Sequence, residues 1–309
     1  MSLTPLFNPQ SPQAQAISTL FTHFLILAAI VFLVVSGLVV YSLIRYRAAG
    51  RSSEPRQTFG STRIEVTWTV IPLLVVLVLF ILTLRTMAYV DAPQEPDQSP
   101  DLIVIGYQWW WEARYPNGAV TANEIEIPAS KRLLVRIESG DVIHDFWLPE
   151  LARKMDAVPG RPSYIWLEAN TPGTYEGACS EFCGMQHAGM RFWIIAKPEN
   201  EFSEWVKRQA ETPPEPTSGI PAEGARLFRD HSCADCHATS AISANLGKGP
   251  PLAHLTSRRR LGGRLDNTPE NLARWIANPQ SIKPGNRMPD QHLSAGDLRS
   301  LVGYLETLQ

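Results

Sequence analysis

Twelve residues, Cys179-Ser-Glu-Phe-Cys183-Gly-Met185-Gln-His187-Ala-Gly-Met190, hold two thiols, an imidazole and two thioethers. Soft sulfur donors beside a borderline nitrogen donor favour copper among the biological metals. One ligand from outside the stretch would close such a site, and His144, thirty-five residues before Cys179, pairs with His187 in that role. Two plainer readings compete. A Cys179–Cys183 disulfide, which an oxidising compartment would favour, needs neither His187 nor Met190. A structural zinc ion would take the thiols and imidazoles but leaves the thioether without a role. Two Cys also exceed the needs of a mononuclear blue-copper site, which uses one Cys, two His and a weak Met. A second thiolate can bridge a second copper.

A second reactive cluster is His231-Ser-Cys233-Ala-Asp-Cys236-His237. Cys-x-x-Cys-His is the attachment signature of a c-type haem: two thiols meet two vinyl groups and the adjacent imidazole takes the iron. A zinc knuckle or a redox dithiol shares the pattern, and a tail of helical character after residue 221 favours haem. Met288 is the sole Met after Met190 and lies in the Pro-bounded loop Gly285-Asn-Arg-Met-Pro289. It is the candidate sixth ligand, with His231, His254 and His292 as rivals. A Met/His pair raises the potential and suits electron transfer.

The elements that position these residues are legible in outline. At 309 residues the chain exceeds one ordinary domain. Its formal net charge of −2 hides an asymmetry: acids exceed bases 19 to 11 from Asp91 to Glu211, and bases exceed acids 11 to 8 from Pro221 onward. Two folded parts of opposite sign are implied, and nucleic acid is not a partner. With four Cys, at 179, 183, 233 and 236, both clusters together leave none for disulfides.

Phe24 to Leu43 and Val66 to Leu84 are apolar runs long enough to cross a membrane as helices. Arg45, Arg47, Arg51, Arg56 and Arg63 lie between them against Glu54 and Glu65, so the positive-inside rule puts this loop in the cytoplasm and both termini outside. Residues 1–22 carry no Lys or Arg and read as an irregular polar arm. Lacking the basic start of a cleaved signal, they favour a retained anchor, unless a precursor segment has already been removed. Glu65, at the cytoplasmic edge of the second run, is either a headgroup-level carboxylate or a functional one.

From Asp101 the chain changes to short β-branched and aromatic runs: Leu102–Tyr107, Leu133–Ile137, Tyr164–Leu167 and Met190–Ala196. They predict an antiparallel sandwich or barrel whose end loops carry the metal residues. Trp109, Trp110 and Trp111, if on one strand, alternate faces, with at least one in the core and one pointing outward. Glu199–Ala210 predicts an amphipathic helix. Glu211 to Pro221 is a Pro-rich linker spanning about 30 Å, which keeps the last domain near the metal domain at an effective concentration in the millimolar range.

With their spacings, His144, Cys179, Glu181, Cys183, His187 and Met190 resemble the binuclear CuA site of cytochrome c oxidase subunit II. The resemblance implies that both sulfurs bridge two coppers, each with one His, and that Met190 and the Glu181 backbone carbonyl are the weak ligands, with Met185 the rival thioether. It also implies that the Glu181 side chain reaches a Mg or Mn ion at the border with subunit I. Trp109 matches the family's electron entry point, and Glu65 matches a residue near a proton-channel entrance. Lys154-Met155-Asp156 and Pro159-Gly160-Arg161 match a segment near subunit I; on their own they read as surface charge and a turn.

Residues 221–309 resemble a class I cytochrome c, with Gly224 and Phe228 before the haem motif, Tyr304 in a terminal helix spanning Leu298 to Leu308, and Gly249-Pro250-Pro251-Leu252 matching Gly-Pro-x-Leu. In that motif the Pro250 carbonyl orients His237, a contact that fixes the ring and raises its basicity. The whole chain thus resembles an oxidase subunit II with a fused cytochrome c, as in caa-type haem-copper oxidases. The division implied is an arm (1–22), a transmembrane helix hairpin (23–90), an all-β cupredoxin domain (91–198), a helix and linker (199–220) and an all-α cytochrome c domain (221–309). Electrons from a cytochrome c or a quinol–cytochrome c reductase would pass from haem c to CuA and on to subunit I, beside subunit III, in the lipid of a bacterial inner membrane. There oxygen is reduced and protons are pumped. A copper-containing nitric oxide reductase and a copper-delivery protein are the alternatives.

Overall fold

The computed structural model describes residues 7–47, 57, 59–94, 96–240 and 248–309; Arg51, Glu54 and Arg56 of the basic loop lie outside them. The two apolar runs form helices α1 (Pro12–Arg45) and α2 (Thr62–Val90), of 34 and 29 residues. At about 1.5 Å per residue either exceeds the hydrocarbon thickness of a bilayer. The irregular arm expected over residues 1–22 is a correction: α1 starts at Pro12, because the Ser11 hydroxyl caps it by accepting the Ala14 N–H at 2.9 Å. That hydroxyl also donates to the Leu151 carbonyl, and Gln10 N–H reaches the Glu150 carbonyl at 2.7 Å. Pro at the first helical position costs nothing, since its missing N–H would have no partner there.

The β domain has ten strands: β1 (Leu102–Tyr107), β2 (Trp110–Arg114), β3 (Val120–Ala122), β4 (Glu124–Pro128), β5 (Leu133–Ser139), β6 (His144–Leu148), β7 (Ala152–Ala157), β8 (Ser163–Leu167), β9 (Gly173–Cys179) and β10 (Arg191–Lys197). They make two five-stranded sheets, β3-β2-β1-β5-β8 and β4-β10-β9-β6-β7. The sheets are mixed rather than purely antiparallel: β1 runs parallel to β5 and β4 parallel to β10. Parallel neighbours need crossovers, here supplied by whole intervening strands. Trp111, Phe146 and Phe192 are fully buried between the sheets, the two Phe rings stacked at 4.4 Å and Trp111 at 5.4 and 5.5 Å from them. Each such ring contributes about 1.5–3 kcal/mol by leaving water.

Helix α3 (Glu199–Gln209) lays Trp205 against Tyr115 of this domain, ring centroids 5.2 Å apart. The last domain packs α4 (Gly219–Asp230) and α5 (Pro269–Ala277) on α7 (Ala295–Leu305), with α6 (Pro279–Ile282) and a small hairpin, β11 (Arg260–Leu261) and β12 (Leu265–Asp266), beside α5. Gly224 lets α4 cross α7 closely: a Cβ there would lie 1.9 Å from the Ser300 carbonyl oxygen. Phe228 and Tyr304 meet edge to face at 5.6 Å beside that crossing. Helix α4 starts two residues ahead of the boundary expected at 221.

Candidate metal centre and haem site

Strand β6 supplies His144, β9 ends at Cys179, and the loop into β10 supplies Cys183, His187 and Met190. Cys179 Sγ lies 3.8 Å from Cys183 Sγ and 3.9 Å from His144 Nδ1, and Cys183 Sγ lies 3.7 Å from both His187 Nδ1 and Met190 Sδ. His144, Cys179 and Cys183 offer three ligand atoms within 4.8 Å of one another. All four cysteines are free thiols, and 3.8 Å is far beyond the roughly 2.05 Å of a disulfide. With metal–thiolate bonds of about 2.3 Å, two sulfurs at that separation subtend a near-tetrahedral angle at a shared ion. The donor set therefore fits a metal, and its soft character fits copper.

The thioether question has a geometric answer: Met190 is 1% exposed and in the cluster, whereas Met185 is 72% exposed. The Glu181 carbonyl faces Cys179 Sγ at 3.3 Å, while its side chain is exposed. Gly106 makes room for His144, since a Cβ would lie 2.9 Å from that ring and 3.0 Å from Trp111. Asp141 Oδ1 holds His144 Nε2 at 2.8 Å, leaving Nδ1 toward the sulfurs. Burial would push the His144 pKa down, but Asp141 and Cys179 lift it above its usual value. Burial would likewise raise Asp141, but hydrogen bonds from His144 and from the Gln108 and Val142 N–H groups bring it below the carboxylate range. The bond with Cys183, outweighing burial and helped by His144, brings Cys179 down to about 3, while Cys179 and burial push Cys183 up.

The three Trp do not share one strand. Trp109 precedes β2 and all three are at most 9% exposed, but Trp110 and Trp111 lie on opposite faces of the strand, as the alternation predicts. Trp111 is in the core, Trp110 stacks on Tyr107 at 4.8 Å, and Trp109 lies beneath the haem domain. Trp109 Nε1 donates to the Cys183 carbonyl at 2.9 Å, joined there by Gln108 Nε2 at 2.8 Å.

In the haem domain, Cys233 and Cys236 precede His237, whose Nδ1 donates to the Pro250 carbonyl at 2.7 Å. That fixes the tautomer and frees Nε2 for iron. Gly249 is required beside it, as a Cβ would come within 2.7 Å of the ring. Burial holds His237 below its usual pKa and so neutral, the form a metal takes. Two free thiols with an oriented, neutral imidazole fit a covalently held haem. Met288 sits in a braced loop: its N–H donates to Asn286 Oδ1 at 2.8 Å and its carbonyl accepts from Gln280 at 2.9 Å. Of its rivals, His254 is taken by the Glu211 carbonyl at 2.8 Å.

Residues 119–197 match the family described as cytochrome c oxidase subunit II, periplasmic domain; residues 4–86 match its transmembrane domain, and residues 221–309 match cytochrome c. Cytochrome c oxidase subunit 2 of Alkalihalophilus pseudofirmus is 36% identical over 315 residues, covering 100% of this chain and 91% of that protein. The chain belongs to the cytochrome c oxidase subunit II family. The subunit 2 of Bacillus sp. PS3 is 32% identical over 284 residues, covering 86% of this chain and 80% of the relative. A crystal structure of the subunit II periplasmic domain of Bradyrhizobium japonicum, 34% identical, covers 36% of this chain and 94% of that one at a TM-score of 0.35.

Within this subunit II, sequence patterns do not single out Asp141, Gln186, Glu124 or Lys283. Asp141, three residues before His144, is an ordinary carboxylate–histidine spacing that could have flagged it; the others carry no local signal. Elsewhere, Lys154 lies over the Trp147 ring at 4.9 Å and Asp156 faces Asp145 across β6 and β7. Burial and the Asp156 carboxyl raise Asp145 to about 7. Glu65 lies in the first turn of α2, apart from either cluster in sequence and element.

Proposed function

We propose that this chain is the electron-entry subunit of a terminal haem-copper oxidase, holding copper as a CuA pair and a covalent haem c. It is a two-span membrane protein with a cupredoxin-like domain and a cytochrome c domain, and it works with other oxidase subunits; it carries electrons and leaves oxygen reduction to a partner. Copper and haem, when bound, supply the two one-electron carriers. The observation that carries the reading is the convergence of His144, Cys179, Cys183, His187 and Met190 within contact distance, with the docked haem domain covering Trp109.

Each residue has its part. Cys179, Cys183, His144 and His187 would hold the copper, with Met190 and the Glu181 carbonyl as the weaker donors. Asp141 orients His144. Cys233 and Cys236 would anchor the haem, and His237, steadied by the Pro250 carbonyl, and Met288 would hold its iron. Trp109, joined to the copper loop through the Cys183 carbonyl, would serve as the entry point for electrons from the tethered haem domain. Contacts across the seam support docking: the Glu124 carboxylate accepts the backbone N–H groups of Arg259 and Arg260, Arg264 donates to Gln186, and Arg287 pairs with Asp141 of the copper domain.

Subunits I and III are the proposed neighbours, a cytochrome c or a quinol–cytochrome c reductase the donor, and the outer face of a bacterial inner membrane the location of both soluble domains. The Glu181 side chain would reach Mg or Mn at the subunit I border, and Glu65 would stand at a proton entrance. Oxygen uptake by the chain purified with its neighbours tests the reading. Uptake inhibited by removing copper is expected; nitric oxide consumption without oxygen uptake, or labile copper in a chain without haem, would overturn it.

A further inference from the structure

We infer that the loop from Lys283 to Arg287 is the positioning element of the haem-to-copper junction, and that Lys283 is its central positioning residue. This rests on the reading of Trp109 as the copper-side entry and of Met288 as the haem's distal ligand.

Three contacts within five residues carry the inference. The Lys283 ammonium, 4% exposed, donates to the Trp109 carbonyl at 2.7 Å and to the Gly262 carbonyl at 3.1 Å. The Pro284 carbonyl accepts from Gln186 Nε2 at 2.7 Å, and Arg264 holds Gln186 Oε1 from the other side at 2.6 Å. Arg287 reaches Asp141 Oδ2 at 3.4 Å and Gln108 Oε1 at 3.5 Å. Each partner is one step from a different copper-site residue: Trp109 binds the Cys183 carbonyl, Gln186 precedes His187, and Asp141 holds His144. The same loop runs directly into Met288, and Gly285, at φ +80°, brings its backbone against Met185 and the Trp109 ring.

Lys283 is the informative member. Among the described residues its ammonium is paired with carbonyls and with no carboxylate. An ammonium taken out of water without a counter-ion costs free energy that an apolar side chain of the same length would not. What it provides instead is direction: one nitrogen fixed between carbonyls of the two domains admits a single register. Contacts on three sides of the copper loop then hold the Met288 loop at one distance from Trp109, so that residues rather than the slack of the Pro-rich linker set the rate.

The test uses the full chain loaded with haem and copper and the variants Lys283→Met and Lys283→Arg. Light-triggered reduction of the haem gives the haem-to-copper rate, and amide hydrogen exchange gives the state of the loop. Expected for Lys283→Met is a fall in rate of about tenfold or more, since a displacement of about 1 Å at a reacting geometry can cost that much. The sulfur-to-iron band and the copper signal stay as they were, and exchange speeds up at Gly285 and Asn286 but not at Arg259 and Arg260. Lys283→Arg, which keeps its donors, recovers rate. Arg287→Gln, at an exposed position, slows transfer in the same sense without touching the fold.

An unchanged rate in Lys283→Met with unchanged loop exchange overturns the inference. So does loss of protection at Arg259 and Arg260 as well, which would make Lys283 a general docking anchor. Trp109→Phe separates the two layers: if it leaves the rate intact the entry reading fails, whereas if it slows transfer while Lys283→Met does not, only the junction fails.

Discussion

Glu124→Ala probes how the two soluble domains are held together. The Glu124 side chain is buried at the seam, and its carboxylate accepts the Arg259 N–H at 2.9 and 3.0 Å and the Arg260 N–H at 2.8 Å. Alanine leaves both amides without their charged acceptor. A hydrogen bond to a charged group contributes about 1.5–3 kcal/mol, and water entering the gap recovers part, so the pair's loss is about 3 kcal/mol. That is a factor of about 100 in the ratio of docked to released haem domain. Because the linker keeps the released domain close, the chain stays folded and the effect falls on docking alone. Amide exchange at Arg259 and Arg260, which lose their acceptor, should quicken. Haem-to-copper transfer should slow and become dependent on ionic strength, as redocking of opposite charges limits it. Glu124→Gln, keeping one acceptor, should fall between. Full protection in Glu124→Ala, with a rate indifferent to salt, would refute the docking geometry.

Other substitutions probe single atoms. Met288→Ala should leave haem attached through Cys233 and Cys236 but abolish the sulfur-to-iron absorption band and lower the potential; a retained band would assign the sixth position elsewhere. Met190→Leu should alter the copper spectrum while Met185→Leu leaves it unchanged, because Met190 alone lies beside the thiols; the reverse result would exchange their roles. Gly224→Ala should destabilise the haem domain by about 1–3 kcal/mol, since its methyl meets the Ser300 carbonyl, and should lower the melting temperature followed by haem absorbance.

Both cofactor clusters were readable as spacings, because ligands on one short loop and a Cys-x-x-Cys-His run are local features. Residue 144 could be paired with the loop for a simple reason: imidazoles are scarce in this chain. The two apolar runs announced their helices by length. The start of α1 is hard to read although Ser11-Pro12 is itself a capping signal, because a polar stretch with several Pro resembles coil, and what fixes it is a distant contact with Leu151. Sheet pairing was misjudged where β1 and β5 meet in parallel, a non-local choice that strand composition does not encode. Trp109 is matched to an entry point by resemblance alone, and its cover by the chain's own haem domain comes from Lys283 and Gly285, far away in sequence. Glu124, Gln186 and Lys283 looked like unremarkable polar residues, since their roles arise only where two domains separated by a linker come together.

Metal content and spin state of the purified full chain test the central claim most directly. Two coppers per chain sharing one unpaired electron, with hyperfine splitting from both nuclei, are expected, and Cys183→Ser should abolish that shared signal because one thiolate cannot bridge the pair. Zinc, a single copper, or a Cys179–Cys183 disulfide in the active preparation would contradict it.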